Sequence, residues 1–466
     1  MPLILPGNVG SATAATTYSV ANSIRLEGGD SPDLKKTNSS SGNRKTWTFS
    51  AWIKRAKLGA AQNFFSGGTD GDNQNYNRIQ FNGDDDIYIA HVDGGSTTTE
   101  KQTDMKFRDC SAWYHIVWAL DTTQGTAANR EKLYVNGVQV TSFSTNSIPA
   151  EDYEGTISEN VDMFVGNQLG TWEFCSMYMA EVCFIDGSAL APTSFGEFNE
   201  DSPTIWQPVD VSGLTFGTNG FYLDFEASDN LGNDANGGTD LAEDNIAATD
   251  QSADTPTLNY PTFNPLIKGN VATTLSEGNL KGVFGSGWSW LPATFGVQNG
   301  KWYWEAKVSA TNDANLFIGI TTEDQDWDDA TPYDEAGTIL YFADGRKSVD
   351  GTDTESHFAS YTTNDIIGVA LDLDSGTRTI TFYKNNSVTP ASSSAVTITS
   401  NFTGKFVMPV FVGNSSSAAA NWELNFGSPL YANTSDAADA NGYGAFEFAP
   451  PTGYIALNSA NLAKEG

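Results

Sequence analysis

Cysteine and histidine are scarce in this chain of 466 residues, with three of each. Cys110, Cys175 and Cys183 are odd in number and lack Cys-x-x-Cys spacing. That argues against a disulfide framework and against a zinc site, and the three are read as buried free thiols. His91, His115 and His357 form no His-x-x-x-His pair. Positive charge is also sparse: 24 Lys and Arg stand against 57 Asp and Glu, for a formal net charge of −33. Such a surface repels phosphate backbones and anionic lipid, so neither nucleic acid nor a membrane surface is expected as a partner. No stretch reaches the ~20 apolar residues of a membrane-spanning helix. The opening residues, MPLILPGNVGSATAATTYSV, carry no basic segment, and Pro2 and Pro6 interrupt their short apolar run. A secretory signal is therefore not expected, and the chain is expected to fold in a cytosol. Long amphipathic helical patterns are missing as well.

What is present is glycine, 45 residues of it, with 12% aromatics and a hydrophobic content of 39%. Many turns and enough apolar mass for a core indicate an all-β protein of short strands. Residues 1–15 are small, apolar and turn-rich, and read as an N-terminal arm with Leu3, Ile4 and Leu5 as its sticky part. Three adjacent apolar side chains are costly to leave in water, so the arm is expected to attach to another protein or a neighbouring subunit. Strand patterning fills 16–226. Residues 227–265 are acidic and poor in large apolar side chains, and read as a linker. Patterning resumes over 266–432, and 433–466 reads as a tail packed on the second patterned region.

The two patterned regions echo each other. HIVWALD (115–121) leads through a polar loop to KLYVNGV (132–138); IIGVALD (366–372) leads through a polar loop to TITFYKNNSV (379–388). Each second strand ends in a turn, Asn136-Gly137 or Asn385-Asn386, that tolerates positive φ. Two related antiparallel sandwiches in tandem are the expected architecture.

Side chains of a strand alternate between faces. In GKWYWEAKV (300–308), Trp302, Trp304, Ala306 and Val308 share one face; Lys301, Tyr303, Glu305 and Lys307 share the other. The tryptophans are read as core and Tyr303 as lying on the wet face. Trp302→Ala or Trp304→Ala is expected to cost roughly 3–5 kcal/mol, and Tyr303→Ala far less. In TWTFSAWIKR (46–55), Trp47, Phe49, Ala51 and Ile53 face the core, while Trp52 falls with Ser50 and Lys54 on the opposite side.

GKWYWEAKV, LFIGIT, TILYFADGRKSVDG, DIIGVALDLDSGTRTITFYKNN and WELNFGSPLY, in that order, resemble a SPRY domain over roughly 271–432. TWTFSAWIKR, SAWYHIVWALD, KLYVNGVQV, MFVGNQ and MAEVCFIDGSAL resemble a laminin-G-like, concanavalin A-type jelly roll. With MPLILPGNVGSA at the start and YGAFEFAPPTGYIALNSANL at the end, the whole is similar to virion-associated proteins of marine tailed phages. That resemblance implies a non-enzymatic structural or adhesive protein on the virion surface, a capsid-decorating knob or fibre-type appendage made in the host cytoplasm. It implies other virion proteins as partners, a multicopy or homo-oligomeric state, and host-surface glycans or proteins contacted through sandwich loops. A lectin-like carbohydrate-binding protein or a glycan-degrading enzyme is the alternative on the same fold.

Retaining glycan hydrolysis needs two carboxylates ~5–5.5 Å apart. The family's Glu-x-Asp-x-x-Glu pattern is absent; Glu173 and Glu181 are eight residues apart, and Asp224 and Glu226 lie at the domain's end. No Ser-His-Asp pattern is visible, and His115 sits inside an apolar strand as a satisfied histidine. No catalytic residue is assigned. No cofactor is required; calcium is the one candidate, because related jelly rolls often use it and GGTDGDNQN and NGDDDIY supply clustered oxygens from Asp70, Asp72, Asn73 and Asp84. SPRY domains usually recognise partners through loops at one sheet edge, which nominates Trp327, Tyr333, Tyr341 and Arg346 as ligand-binding residues.

Overall fold

The computed structural model describes residues 4–5, 18–267, 273–311, 315–328, 331, 333–389, 395–415 and 419–466. The chain divides into two compact units, one ending at Thr257 and the other beginning at Leu258; Ile4 and Leu5 group with the latter. Each unit is an antiparallel β-sandwich. Among the described residues one α-helix forms, Ser459–Glu465, and no helix is long and apolar enough to cross a membrane.

Two eight-stranded sheets build the first unit. One runs Val138–Gln139, Glu131–Val135, Tyr114–Asp121, Thr46–Arg55, Met177–Asp186, Ser23–Leu26, Gln251–Ser252, with Phe221–Leu223 also paired to Met177–Asp186. The other runs Phe143–Asn146, Ser96–Thr103, Ile87–Asp93, Tyr76–Phe81, Gln62–Gly68, Asp162–Val165, Asp33–Thr37, Ala242–Asp244. Alternation drives Trp47, Phe49, Ala51 and Ile53 between the sheets, where Phe49 stacks on Phe65 at 4.3 Å. Trp52 points to the outer side, yet it is buried, because the hairpin Gly196–Phe198/Trp206–Pro208 covers that side and His115 lies between Trp52 and Trp206. Cys110, Cys175 and Cys183 are buried and free.

The acidic stretch after residue 226 is not a linker. Ala242–Asp244 pairs with Asp33–Lys35, and Gln251–Ser252 pairs with Ser23–Ile24, so residues 227–257 complete both sheets of the first sandwich. Its few apolar side chains are spent inward: Leu231 and Leu241 are buried in the core. Asp254 is buried too, in an ion pair with Lys54.

The second unit faces a nine-stranded sheet with a six-stranded one. The larger centres on Asn421–Asn425, Lys301–Ala310, Ile366–Asp372 and Thr379–Lys384; the smaller on Val407–Gly413, Leu316–Thr322 and Thr338–Phe342. Both hairpins that echoed in the sequence close as expected, with positive φ at Asn136 and Gly137 (47° and 78°) and at Asn385 and Asn386 (47° and 67°). Trp302, Trp304, Ala306 and Val308 are all fully buried.

The opposite face of that strand differs from its alternation pattern. Tyr303 is 2% exposed and Glu305 0%. The C-terminal segment lies over them: Phe446 packs edge-on to Tyr303 at 5.2 Å, and Ile455–Ala456 pairs in parallel with Trp302–Tyr303. A pattern of polar and apolar residues shows which side chains share a face. It does not show what a segment 140 residues further on will cover. At the other end of the chain, Ile4 is also occupied within its own unit. It is buried, its N–H donates to the Thr294 carbonyl (2.8 Å) and its carbonyl accepts from Gly296 N–H (3.0 Å). Leu3 lies outside the described residues.

Candidate functional site

Three buried clusters look catalytic in composition, and their hydrogen bonds show why they are structural. His115 is fully buried, with Ser50 Oγ 2.9 Å from Nε2 and Trp206 Nε1 3.0 Å from Nδ1. An indole N–H only donates. Nδ1 must therefore hold the lone pair, and Nε2–H donates to Ser50. The imidazole cannot take a proton from that hydroxyl, and burial pushes its pKa down to about 3. His91 bridges the two sheets of the first sandwich: Nε2 meets Glu131 Oε1 at 2.7 Å and Nδ1 meets Asn77 Nδ2 at 2.8 Å. Trp118 Nε1 and Lys101 complete the set around Glu131, with no open side for a substrate.

Glu181 is the third. It sits at a bulge with φ 49°, and its Oε2 accepts from Tyr222 (2.8 Å) and Tyr18 (3.1 Å). Burial pushes its carboxyl up to about 7, and the neighbouring carboxylates of Asp224 and Glu226 add to that. A folded-state pKa above the unfolded one gives stability that is complete below about 4.5 and disappears as pH rises through about 7. The shift is worth about 3 kcal/mol. Glu181→Gln keeps an oxygen for both tyrosines and has no charge to expose. Its melting temperature is expected to match that of the native protein near pH 4.5 and exceed it at pH 8. Equal melting curves for the two at pH 8 would show that Glu181 ionises freely.

One described surface that combines aromatic rings with hydrogen-bonding groups lies on the outer face of the second sheet of the first sandwich. In Tyr76–Phe81, Ile79 and Phe81 enter the core, so Tyr76, Arg78 and Gln80 face outward. Arg78 stands opposite Ala90, which stands opposite Glu100. The small alanine leaves room for the guanidinium, which lies 5.4 Å from the Tyr76 ring and 5.7 Å from the Tyr88 ring. Arg78 Nη1 donates to Glu173 Oε2 (2.9 Å) and to Gln168 Oε1. Tyr88 donates to Glu100 at 2.6 Å, and burial with that carboxylate pushes the phenol up to about 12. Gln168 and Glu173 come from a loop over one end of the face, anchored by buried Leu169 and carrying exposed Trp172. Leu169 and Glu173 both take positive φ (53°), a strained conformation for such side chains. Tyr76 and Gln168 are buried behind this face, which leaves the partly buried Arg78, Tyr88, Glu100 and Glu173 and the exposed Trp172 indole to meet solvent, the polar and stacking groups that recognise sugar hydroxyls and ring faces.

No motif marked this set. The alternation in YNRIQF and IYIAHV put Tyr76, Arg78 and Tyr88 outward, which was the available signal. In the sequence Glu173 stands out only by its spacing of eight residues from Glu181, too wide for a catalytic pair. Glu181 bonds tyrosines and Glu173 bonds Arg78.

The nominated loop residues of the second sandwich have other placements. Tyr341 is fully buried, with its ring against Phe358 and Tyr361 and its hydroxyl donating to the Ala359 carbonyl; it is core, because its strand points it between the sheets. Trp327 and Tyr333 are half-buried and rest on the outer face of the smaller sheet, Trp327 against Trp290 (5.7 Å) and Tyr333 against Trp288 (5.0 Å). Arg346 is held by Asp344 and Asp353 at 2.7 and 2.8 Å and lies over Phe342.

The two acidic loops use several of their carboxylates within the protein. Asp70 pairs with Lys35 (3.6 Å), Asp72 caps Gln74 N–H (3.0 Å), and Asn73 and Asp84 are exposed. Beside Asp84, Asp85 is taken by Arg55 and Arg108, and Asp86 by Lys106. Among the described residues no group of three or more His, Cys, Asp or Glu is placed to hold a metal. A shallow cavity of about 670 Å³ opens among Arg44, Lys45, Glu154 and Asp186, but its two cations are already paired with Glu154, Glu159 and Asp152.

Residues 28–186 match the family model of the concanavalin A-like lectin/glucanases superfamily, and residues 301–428 match that of the SPRY domain. No curated protein matches the chain. Among solved structures, the SPRY domain of human HERC1 is 20% identical, with 35% of this chain and 96% of that one covered and a TM-score of 0.29. A second human SPRY domain is 16% identical (33% and 94% covered, TM-score 0.26). A heptameric SAP-like pentraxin from Limulus polyphemus is 16% identical (38% and 80% covered, TM-score 0.27). The chain therefore carries a concanavalin A-like region followed by a SPRY region, each within one of its two antiparallel sandwiches.

Proposed function

We propose that this is a non-enzymatic adhesive protein of a tailed-phage virion surface whose first sandwich binds a glycan on the sheet face around Arg78. One observation carries the binding reading: Arg78 is held by Glu173 and Gln168 between the Tyr76 and Tyr88 rings, with exposed Trp172 on the adjoining loop. The virion placement is supported by the resemblance of the two chain ends. Calcium has no part in the proposal. On a glycan array the purified protein is expected to give discrete hits. Trp172→Ala and Arg78→Ala should each weaken them at least tenfold, about 1.4 kcal/mol. The exposed Trp172 makes its variant a control in which folding is unchanged. An array without hits, or hits indifferent to both changes, overturns the binding site. Shortening of a bound glycan overturns the non-enzymatic reading in favour of a hydrolase. Antibody to the chain should label particle surfaces, and labelling confined to host material would overturn the placement.

A further inference from the structure

The C-terminal segment is attached to the second sandwich in a way unlike its strands. Strands there are held by backbone ladders; Lys301–Ala310 alone pairs over seven residues with Ile366–Asp372. The segment 433–466 has a two-residue ladder at Ile455–Ala456 and one bridge of its own, Ala437 to Phe446. Two further backbone bonds tie it to the rest of the unit, Ala445 N–H to the Gly427 carbonyl and Ser459 N–H to the Asn259 carbonyl (both 2.9 Å), and side chains hold it beyond these. Glu305 Oε2 accepts from Glu447 N–H (2.9 Å) and Oε1 from Phe448 N–H (2.8 Å). The same carboxyl is set in place from the sandwich side by Tyr303 Oη (3.0 Å) and Asn425 Nδ2 (3.2 Å). Asn425 Nδ2 also donates to the Ala445 carbonyl at 2.9 Å. Gly368, opposite Glu305, is where a Cβ would come within 2.7 Å of Tyr303 Oη, so the clasp needs a residue without a side chain there. A second carboxyl works inside the segment: Asp439 accepts from Asn441 and Tyr443 N–H on one oxygen, and from Ala456 N–H and Asn461 Nδ2 on the other.

We propose that residues 433–466 are a releasable strap, clasped by Glu305, that opens as a unit while the sandwich stays folded. A ladder spreads its hydrogen bonds over many residues, so no single side chain controls it. Here two backbone donors converge on one carboxyl with no solvent access. Burial pushes that carboxyl up to about 7, so holding it charged is costly even with four donors around it. Elements with few ladder bonds and focused contacts are those that open below the global unfolding free energy. Opening bares Tyr303 and Ala370 beside half-buried Tyr383, an aromatic face that the strap covers with Phe446 and Ala456.

Hydrogen exchange by mass spectrometry on the full chain tests this. Amides of 445–456 should exchange through a local opening, at least tenfold faster than those of Leu316–Thr322 and Val407–Gly413. Glu305→Ala should accelerate the first group at least a further tenfold and leave the second unchanged. Asp439→Asn, which weakens the strap's own fold and has no bond to the smaller sheet, should do the same to a smaller degree. If strap and sheet amides exchange at one rate in the native chain, the strap is an inseparable part of the core and the proposal fails. It fails equally if Asp439→Asn deprotects both groups together. Glu305→Ala failing to fold would count the same way, since it would make the clasp part of global stability.

Discussion

Alanine in place of Asp254 is expected to destabilise the first sandwich by about 3–5 kcal/mol. Lys54 Nζ lies 2.7 Å from Asp254 Oδ2, and both side chains are at most 3% exposed. Trp113 Nε1 donates to the other oxygen at 3.2 Å, and Ser23 Oγ donates to the Asp254 carbonyl at 2.6 Å. Removing the carboxylate takes away the counter-charge of a buried ammonium, and little water reaches the site to replace it. Replacing both members with apolar residues, Lys54→Met with Asp254→Leu, should recover most of the loss, because the desolvation of two charges disappears along with their attraction. Urea unfolding reads both. A loss below about 1 kcal/mol for Asp254→Ala is the size of an exposed pair and would show that the site is wet. The experiment also asks whether residues 227–257 belong to the first domain, since a linker residue could not carry such a cost.

The second large effect is at Tyr303. From its alternation alone Tyr303→Ala should be mild and Trp304→Ala severe. With the C-terminal segment in place, both are expected to cost about 3–5 kcal/mol in the second sandwich. Trp304 is fully buried and stacks with Phe426 at 6.2 Å. Tyr303 is 2% exposed, packs on Phe446, and its hydroxyl helps fix Glu305. Tyr303→Phe separates these parts: it keeps the ring contact and removes one donor from Glu305, so it should cost about 1 kcal/mol. Denaturation midpoints that ranked Tyr303→Ala with Tyr303→Phe would mean that the segment does not cover this face in solution.

The sheet faces were readable wherever the chain covers them with neighbouring strands. TWTFSAWIKR and GKWYWEAKV show a period of two, and Trp47, Phe49, Trp302 and Trp304 occupy the cores that this period implies. The hairpin turns were readable for a local reason: Asn136-Gly137 and Asn385-Asn386 accept the positive φ that two-residue connections need. Arg78 was harder. Its alternation marks it as outward, but an outward arginine is ordinary. Its significance comes from Glu173, 95 residues away, and from two rings on neighbouring strands.

By itself, then, the sequence determined the class of fold, the division into two sandwiches and the inward side of each principal strand, because these follow from steric and solvation preferences acting over a few residues. Tertiary structure decided which outward sides stay wet. Trp52 is covered by the hairpin at Trp206, Tyr303 and Glu305 by the segment at Phe446, and Leu34 gains an edge partner from the acidic stretch through Glu243. Each of these depends on segments far apart in the chain meeting at one place. The free energy of such a meeting comes from area buried between them, and no local pattern in either segment encodes its partner.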